Sequence, residues 1–193
     1  MKKEWFDLST LKEPFRVEGK KTMGYEIAEQ LDWTLPDVVV YPTGGGTGLI
    51  GMWKAFNEMI SLGWVAEKDT GMPRMVVVQS DGCAPIVKAF AEGLQENDLW
   101  EESHTEALGL NVPSPLGGGW MLKILRDSGG IALMVDEAQI MEASHEVNEL
   151  SGVDGSCEDG VSWLGFKTLV KAGWIREGEK VVIPITGAAE RYV

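Results

Sequence analysis

Short apolar runs alternate along this chain with longer segments in which apolar residues recur every three or four positions. The runs predict buried strands, at Val38–Tyr41, Met75–Gln79, Ile131–Val135 and Lys180–Ile185. The longer segments predict amphipathic helices, over Thr22–Leu31, Leu49–Leu62, Pro85–Glu92, Gly119–Arg126, Asp136–Leu150 and Gly160–Ala172. Continuous apolar strands that alternate with helices predict a three-layer α/β/α fold with a mostly parallel sheet.

The residues between these segments predict where the elements begin and end. Asp136 is placed to cap the helix that follows it, with Gln139 three residues later as the partner in a capping box. A loop rich in acids, glycine and proline is expected over 93–115. Because no repeat, low-complexity linker or boundary interrupts the pattern, we expect a single domain over residues 1–193.

The junction between the first strand and the helix after it is rich in glycine. Val38–Val40 leads into Pro42 and then into the segment Thr43–Gly48, which we call the glycine loop. A strand, a glycine turn and a helix aim several backbone N–H groups and a positive helix end at one small volume, which suits a phosphate. The competing interpretation is a tight turn that packs against a neighbouring helix.

A dinucleotide site is the second reading of this junction. The segment Gly46–Gly51 fits the pattern GxGxxG after a strand and before a helix. Two features weaken this reading. A ribose partner is expected roughly 20 residues after the glycines, but the first acid at the end of the next strand is Asp81, which lies well beyond that distance. The glycine run also begins before Gly46, where the GxGxxG pattern starts. A Walker loop is excluded because no GK[ST] follows the glycines.

Composition and charge narrow the classes of partner. The net charge of −13 makes nucleic acid or an acidic membrane surface an unsuitable partner. The chain has no apolar run of about 18 residues, as a membrane helix requires, and no signal-peptide core at its start. Two cysteines, Cys83 and Cys157, form no framework, so we expect a cytoplasmic protein. His104 and His145 have no neighbours at metal-ligand spacing, and no metal site is predicted.

Several blocks, in order, closely resemble threonine synthases, which belong to the tryptophan-synthase-β-like (fold type II) pyridoxal-phosphate enzymes. These blocks are VVVYPTGGGTGLIGMWKAF, PRMVVVQSDGCAPIVKAF, GLNVP, SGGIALMVDEAQI and TGAAERYV. The resemblance extends over nearly the whole chain but matches only the C-terminal half of such an enzyme. It therefore implies the large-domain, cofactor-binding portion of a fold type II enzyme, with pyridoxal 5'-phosphate as cofactor.

The resemblance also implies roles for particular residues. The cofactor phosphate would be bound by the backbone and hydroxyls of the glycine loop, that is by Thr43, Gly44, Gly45, Gly46, Thr47 and Gly48. Thr186 would face the pyridine nitrogen, and Asp159 would take the place of the family's glutamate beside the ring. A neutral hydroxyl such as that of Thr186 does not hold the nitrogen protonated as a carboxylate does, which implies a moderated electron sink.

The chain departs from the family in one respect that bears on catalysis. Family members carry the Schiff-base lysine in a segment like SFKDR, which precedes the half matched here and does not occur in this sequence. Lys20 and Lys21 are interpreted as solvated charges at the start of a helix. No catalytic residue is therefore predicted within the chain. A homo-oligomer or a complementary N-terminal segment is expected to complete the site.

The function implied by the resemblance is that of a lyase in threonine biosynthesis, which converts O-phospho-L-homoserine and water to L-threonine and phosphate. A threonine or serine dehydratase or a diaminopropionate ammonia-lyase would share these residues, because the missing half largely sets the substrate. A fragment that binds the cofactor without turnover is a further reading of the isolated chain. The glycine pattern keeps a Rossmann-type NAD(P)-binding oxidoreductase as the alternative from another class.

Overall fold

The fold is seen in a computed structural model, which describes residues 6–65 and 71–188. Within these ranges the helices are α1 (Phe15–Gln30), α2 (Thr47–Ser61), α3 (Pro85–Ala91), α4 (Gly118–Asp127), α5 (Ile140–Ser151) and α6 (Cys157–Lys171). The strands are β1 (Val38–Pro42), β2 (Arg74–Ser80), β3 (Ile131–Val135) and β4 (Val181–Val182). The last five residues of the block TGAAERYV lie outside the described residues.

The four strands form one parallel sheet in the order β3-β2-β1-β4. The central pair is in register from Val38 opposite Arg74 to Pro42 opposite Val78. Both β1 and β2 are buried almost throughout, as their unbroken apolar sequence predicts. The expected α/β class and parallel sheet are confirmed.

Helices cover both faces of this sheet. Alternate residues of the central strands point to opposite sides, so that Val39 and Met75 join a core with α1, α2, α3 and α4. Val38 and Val76 join a second core, which includes side chains of α5 and α6. The molecule is therefore a three-layer α/β/α sandwich, and the carboxyl ends of its strands meet at one edge.

Helix α1 begins earlier than its pattern indicates. It starts at Phe15, seven residues before the predicted start at Thr22, and passes through Gly19 and Gly24 without a break. At Gly24 the absence of a side chain lets α1 lie against α2, since an added Cβ would be 2.7 Å from Cβ of Ala55. The earlier start is explained by Val17, which this first part of α1 buries in the core, since tertiary packing outweighs the low helix propensity of Gly19.

Two further boundaries differ from the sequence prediction. Strand β4 is only two residues long, although Lys180–Ile185 was predicted, because Pro184 has no N–H to donate to the ladder. Helix α6 begins at Cys157 and not at Gly160. Ser156 and Asp159 form the capping box that starts it, which fits the pattern [ST]xx[DE].

The predicted capping box at Asp136 takes another form. The Asp136 side chain caps a 3-10 turn, Glu137–Gln139, by accepting from the N–H of Ala138, and α5 begins only at Ile140. The Gln139 side chain donates to the Asp136 carboxylate at 2.9 Å. In a capping box this side chain would instead accept from the Asp136 N–H. The long loop over 93–115 contains one 3-10 turn, Leu108–Leu110, which matters below.

An ion-pair network joins α1 to α2. Glu58 accepts from Lys21 at 2.7 Å, from Tyr25 at 2.9 Å and also from Lys54. The two lysines lower the pKa of Glu58 to about 2. Its contribution to stability is therefore complete above the usual pKa of a glutamate and is lost as the pH falls towards 2.

Glu58→Gln should lower the free energy of unfolding at pH 7 by at most about 1 kcal/mol, because the pairs are partly exposed. The difference in Tm from wild type should shrink as the pH falls from 5 towards about 2, where Glu58 is protonated in both states. Glu29→Gln, an exposed acid on α1, is the control. The Tm values of both variants and of wild type are measured by thermal unfolding at several pH values. A Tm difference between Glu58→Gln and wild type that does not change with pH would contradict the ion-pair explanation.

Candidate functional site

A cavity of about 180 Å³ opens at the carboxyl end of β1, where the glycine loop connects that strand to α2. We call it the loop cavity. It is lined by residues from α1, the end of β1, the glycine loop, the 3-10 turn, the start of α6 and the segment after β4. These residues are Arg16, Lys20, Tyr41, Pro42, Gly44, Gly45, Gly46, Thr47, Gly48, Gly109, Leu110, Glu158 and Thr186.

The backbone of the glycine loop presents unused donors. Helix α2 begins at Thr47, and Gly46 precedes it with a left-handed φ of 86° and no side-chain cap. Among the described residues, the amide N–H groups of residues 44–49 donate to no protein acceptor, whereas the next amide, that of Ile50, donates to Gly46. Free amides at the positive end of a 15-residue helix are suited to binding an anion.

The glycines of the loop have different structural roles. A Cβ on Gly44 would lie 2.6 Å from the carbonyl oxygen of Gly109, and one on Gly48 would collide with the hydroxyl of Tyr41. A Cβ on Gly45 would have only the hydroxyl of Thr10 nearby, at 3.6 Å. Gly44 and Gly48 are thus required by packing, while Gly45 leaves space open in front of the loop.

Thr43 lies at the base of the loop and faces inward. It is fully buried, its hydroxyl donates to the carbonyl oxygen of Tyr41 at 2.9 Å, and its own carbonyl accepts from Gln79 at 3.0 Å. Burial raises the pKa of Tyr41 to about 12, so this phenol stays neutral beside the loop. The structure thus brings Gly44–Gly48 to the loop cavity, while Thr43 supports the turn from behind.

Asp159 and Thr186, far apart in the sequence, meet at the start of α6. Oδ1 of Asp159 accepts from the Thr186 N–H at 2.8 Å and from its hydroxyl at 3.3 Å. Oδ2 accepts from the Ser156 N–H at 2.8 Å. Burial raises the pKa of Asp159, and these hydrogen bonds oppose that effect. Thr186 lines the loop cavity, whereas Asp159 stands behind it and holds it in position.

Three charged residues of the loop cavity were missed by sequence reasoning. Arg16 and Lys20 lie one turn apart on α1 and bring two positive charges to the cavity. Glu158 is 4% exposed; its Oε1 accepts from the Gly109 N–H at 2.7 Å, while Oε2 is buried without a partner. The four-residue spacing of the two basic residues was a weak signal, but nothing in the sequence relates α1 to the glycine loop.

The other candidate residues lie outside the loop cavity. Lys21 pairs with Glu18 and Glu58, and His104 contacts the carbonyl oxygen of Glu102 at 3.4 Å. Over 6–65 and 71–188 no group of acids, histidines or cysteines could hold a metal ion. In the same ranges no helix is long and apolar enough to cross a membrane. Both cysteines are free thiols, and the cytoplasmic location stays a prediction.

The sequence of the chain matches a known protein family. The model of the family described as "Pyridoxal-phosphate dependent enzyme" matches residues 1–187. The chain belongs to this family. Members of the family use pyridoxal phosphate, a cofactor whose phosphate is the kind of anion that the free amides of the glycine loop can bind. The family assignment therefore favours the phosphate reading of the loop over the dinucleotide reading.

Curated relatives within this family are named threonine synthases. The chain is 34% identical to the threonine synthase of Methanosarcina acetivorans over 174 residues, which is 90% of this chain and 42% of that protein. It is 32% identical to that of Methanocaldococcus jannaschii, with the same coverage. The chain thus spans less than half the length of these relatives and matches their C-terminal part.

Several solved structures share the fold of this chain at lower sequence identity. An L-serine ammonia-lyase from Rhizomucor miehei superposes with a TM-score of 0.71 at 19% identity, covering 90% of this chain and 52% of that one. Maize serine racemase superposes with a TM-score of 0.67 at 19% identity, covering 90% and 49%. These similarities confirm the expected fold type II architecture.

Proposed function

We propose that this chain binds the phosphate of pyridoxal 5'-phosphate in the glycine loop and is the C-terminal portion of a threonine synthase. Such an enzyme converts O-phospho-L-homoserine and water to L-threonine and phosphate. The proposal rests on one observation: the free amides of the glycine loop share a cavity with two cationic side chains, Arg16 and Lys20.

The two kinds of positive group suit two different anions. Backbone amides at a helix start bind a phosphate without needing a charged side chain, so the amides of residues 44–49 account for the cofactor phosphate. Arg16 and Lys20 then remain for a second anion, and an arginine is well suited to a phosphate because its donors form a planar fork. O-phospho-L-homoserine carries such a phosphate; serine, threonine and diaminopropionate do not.

When bound, the cofactor supplies an electron sink that stabilises negative charge next to the amino group of the substrate. The contribution of this chain is to anchor and orient. The glycine loop fixes the phosphate, Thr186 and Glu158 contact the same cavity, and Asp159 holds Thr186 in place. Arg16 and Lys20 would orient the substrate phosphate so that it leaves in a defined direction.

A serine or threonine dehydratase is the second candidate within the same family. The solved structures with this fold include a serine ammonia-lyase and a threonine deaminase. Identities near 20% support the fold alone, whereas the identity of 34% to a threonine synthase favours the first candidate. A diaminopropionate ammonia-lyase is a weaker alternative, since no specific contact favours it.

We also propose that the Schiff-base lysine lies outside this chain, in a complementary segment that completes the enzyme. The coverage of 42% of the Methanosarcina relative supports this proposal, as does the absence of an SFKDR-like segment from the sequence. An SFKDR-like lysine segment encoded immediately upstream of Met1 would support it. Reduction with borohydride that attaches the cofactor to Lys20 or any other lysine of this chain would contradict it.

Arg16→Gln should weaken binding of O-phospho-L-homoserine by about ten- to a hundredfold, because a hydrogen bond to a charged group contributes about 1.5–3 kcal/mol. The ligand is titrated calorimetrically into the chain saturated with pyridoxamine 5'-phosphate, which needs no lysine. Affinity for pyridoxamine phosphate itself should change less than about twofold.

Lys12→Gln is the control, because Lys12 is a cation near α1 that pairs with Asp7 and does not line the loop cavity. If Arg16→Gln and Lys12→Gln lose affinity for O-phospho-L-homoserine equally, Arg16 has no specific role in binding the substrate phosphate. Binding of L-serine as tight as that of O-phospho-L-homoserine would favour the dehydratase.

A further inference from the structure

Gln79 is a completely buried amide near the carboxyl end of β2. Its Oε1 accepts from the N–H of Ile86 at 3.0 Å and from that of Val87 at 3.2 Å, both in the first turn of α3. Its Nε2 donates to the carbonyl oxygen of Thr43 at 3.0 Å. The side chain therefore connects the start of α3 to the base of the glycine loop.

The partners of Gln79 allow only one orientation of its amide. The opposite orientation would place the NH₂ group against the two N–H donors of α3 and the amide oxygen against the Thr43 carbonyl. The first amides of a helix have no partner within the helix, so Oε1 satisfies two donors that would otherwise be buried without one. Because α3 holds Oε1 in place, Nε2 is held at the carbonyl of Thr43.

The hydrogen bond from Gln79 also sets the direction of the next amide in the chain. In a planar trans peptide the carbonyl oxygen and the following N–H point in opposite directions. The Thr43 carbonyl points to Gln79 in the protein interior, so the Gly44 N–H points away from the interior. Gly44 lines the loop cavity, and among the described residues its N–H donates to no protein acceptor. This amide is therefore available to an anion in the cavity.

The glycine at position 44 leaves this peptide able to turn over. Such a flip changes ψ of Thr43 and φ of Gly44, and glycine accepts either sign of φ. A buried carbonyl without a partner is unfavourable, so without Gln79 the Thr43 carbonyl would gain by turning to the open cavity. An oxygen would then face the phosphate in place of the Gly44 N–H. Gln79 removes this alternative because it gives the carbonyl a donor inside the protein.

We infer that Gln79 is a positioning residue for the cofactor phosphate, which holds the Thr43 carbonyl inside the protein and thereby directs the Gly44 N–H into the loop cavity. The inference rests on the proposed function, that is on binding of the cofactor phosphate in the glycine loop. Gln79 does not line the loop cavity and acts only through the backbone. The amide of Gly48 needs no such support, because it belongs to the first turn of α2, which fixes its direction.

The test is an NMR titration of the chain, labelled with ¹⁵N at its glycines, with pyridoxamine 5'-phosphate. In wild type the amide proton signals of Gly44 and Gly48 should both move downfield, as expected for N–H groups that donate to a phosphate. Gln79→Met is close in size to wild type but has no amide, so at saturation Gly44 should lose this shift while Gly48 keeps it. The affinity should fall by about ten- to a hundredfold, the effect of one lost hydrogen bond to a charged group.

Ser128→Ala is the matched control for a lost hydrogen bond of β2. The Ser128 hydroxyl accepts from the N–H of Met75 at 3.2 Å, at the opposite end of this strand. This variant should keep both glycine shifts and the wild-type affinity. Gln79→Glu is a second variant that keeps an acceptor for α3. At about pH 8 its carboxylate has no hydrogen for the Thr43 carbonyl, so the Gly44 shift should again be lost selectively.

Two results would overturn the inference and leave the phosphate site in place. One is a Gly44 shift that is as large in Gln79→Met as in wild type, or that is missing in wild type while Gly48 responds. The other is an equal loss of the Gly44 and Gly48 shifts at saturation, which would indicate a general structural effect of the substitution. If no amide of the glycine loop in wild type responds to pyridoxamine phosphate in a saturable manner, the proposed function and the inference fail together.

Discussion

Gly45→Leu is expected to weaken binding of pyridoxal phosphate by at least about a hundredfold without lowering the Tm. The Cβ of residue 45 would enter open space, since the nearest atom outside the loop is the Thr10 hydroxyl at 3.6 Å. The larger side chain would then occupy the volume in front of the free amides. Loss of two charge-assisted hydrogen bonds at about 1.5 kcal/mol each accounts for the factor.

Gly44→Ala is the comparison that separates binding from folding. Its Cβ would lie 2.6 Å from the backbone carbonyl of Gly109, which cannot move as freely as a side chain. This smaller substitution should therefore lower both the Tm and the affinity. Fluorescence titration with the cofactor and thermal unfolding measure the two quantities. Unchanged affinity in Gly45→Leu would remove the cofactor phosphate from the glycine loop.

Asp159→Ala is expected to lower the free energy of unfolding by about 2–4 kcal/mol, since several donors lose their acceptor at once. These donors include the N–H groups of Ser156 and Thr186, and the first of them belongs to the capping box of α6. A lost cap alone costs about 1 kcal/mol. For a chain of this length the expected fall in Tm is about 4–16 °C.

Asp154→Ala is the control for this prediction. Asp154 lies near the same helix start but is exposed, and its described contact is a 3.3 Å hydrogen bond from Asn148. We expect its Tm to stay within about 2 °C of wild type. If Asp159→Ala unfolds at the wild-type temperature, the buried carboxylate does not anchor Thr186, and the positioning role assigned to it fails.

The elements that were predicted well are those with strong local patterns. β1 and β2 are continuous apolar runs between helices, and the sequence alone identified them to within one residue at each end. The glycine loop was identified because a strand, a glycine run and a helix follow one another directly. The start of α1 was missed because Gly19 indicates a boundary in the sequence, whereas the turn before it buries Val17 in the core and continues through this glycine. The end of β4 was missed because Pro184 cannot donate to the ladder.

By itself, the sequence determined the α/β class, the position of the glycine loop and the resemblance to one enzyme family, because each depends on residues that are adjacent or periodically spaced along the chain. Only the tertiary structure decided which charges surround the loop. Arg16 and Lys20 reach it because α1 packs against α2, and Glu158 reaches it because α6 covers the other face of the sheet. These charges come from segments that are distant in sequence, and packing of the helices on the sheet brings them together.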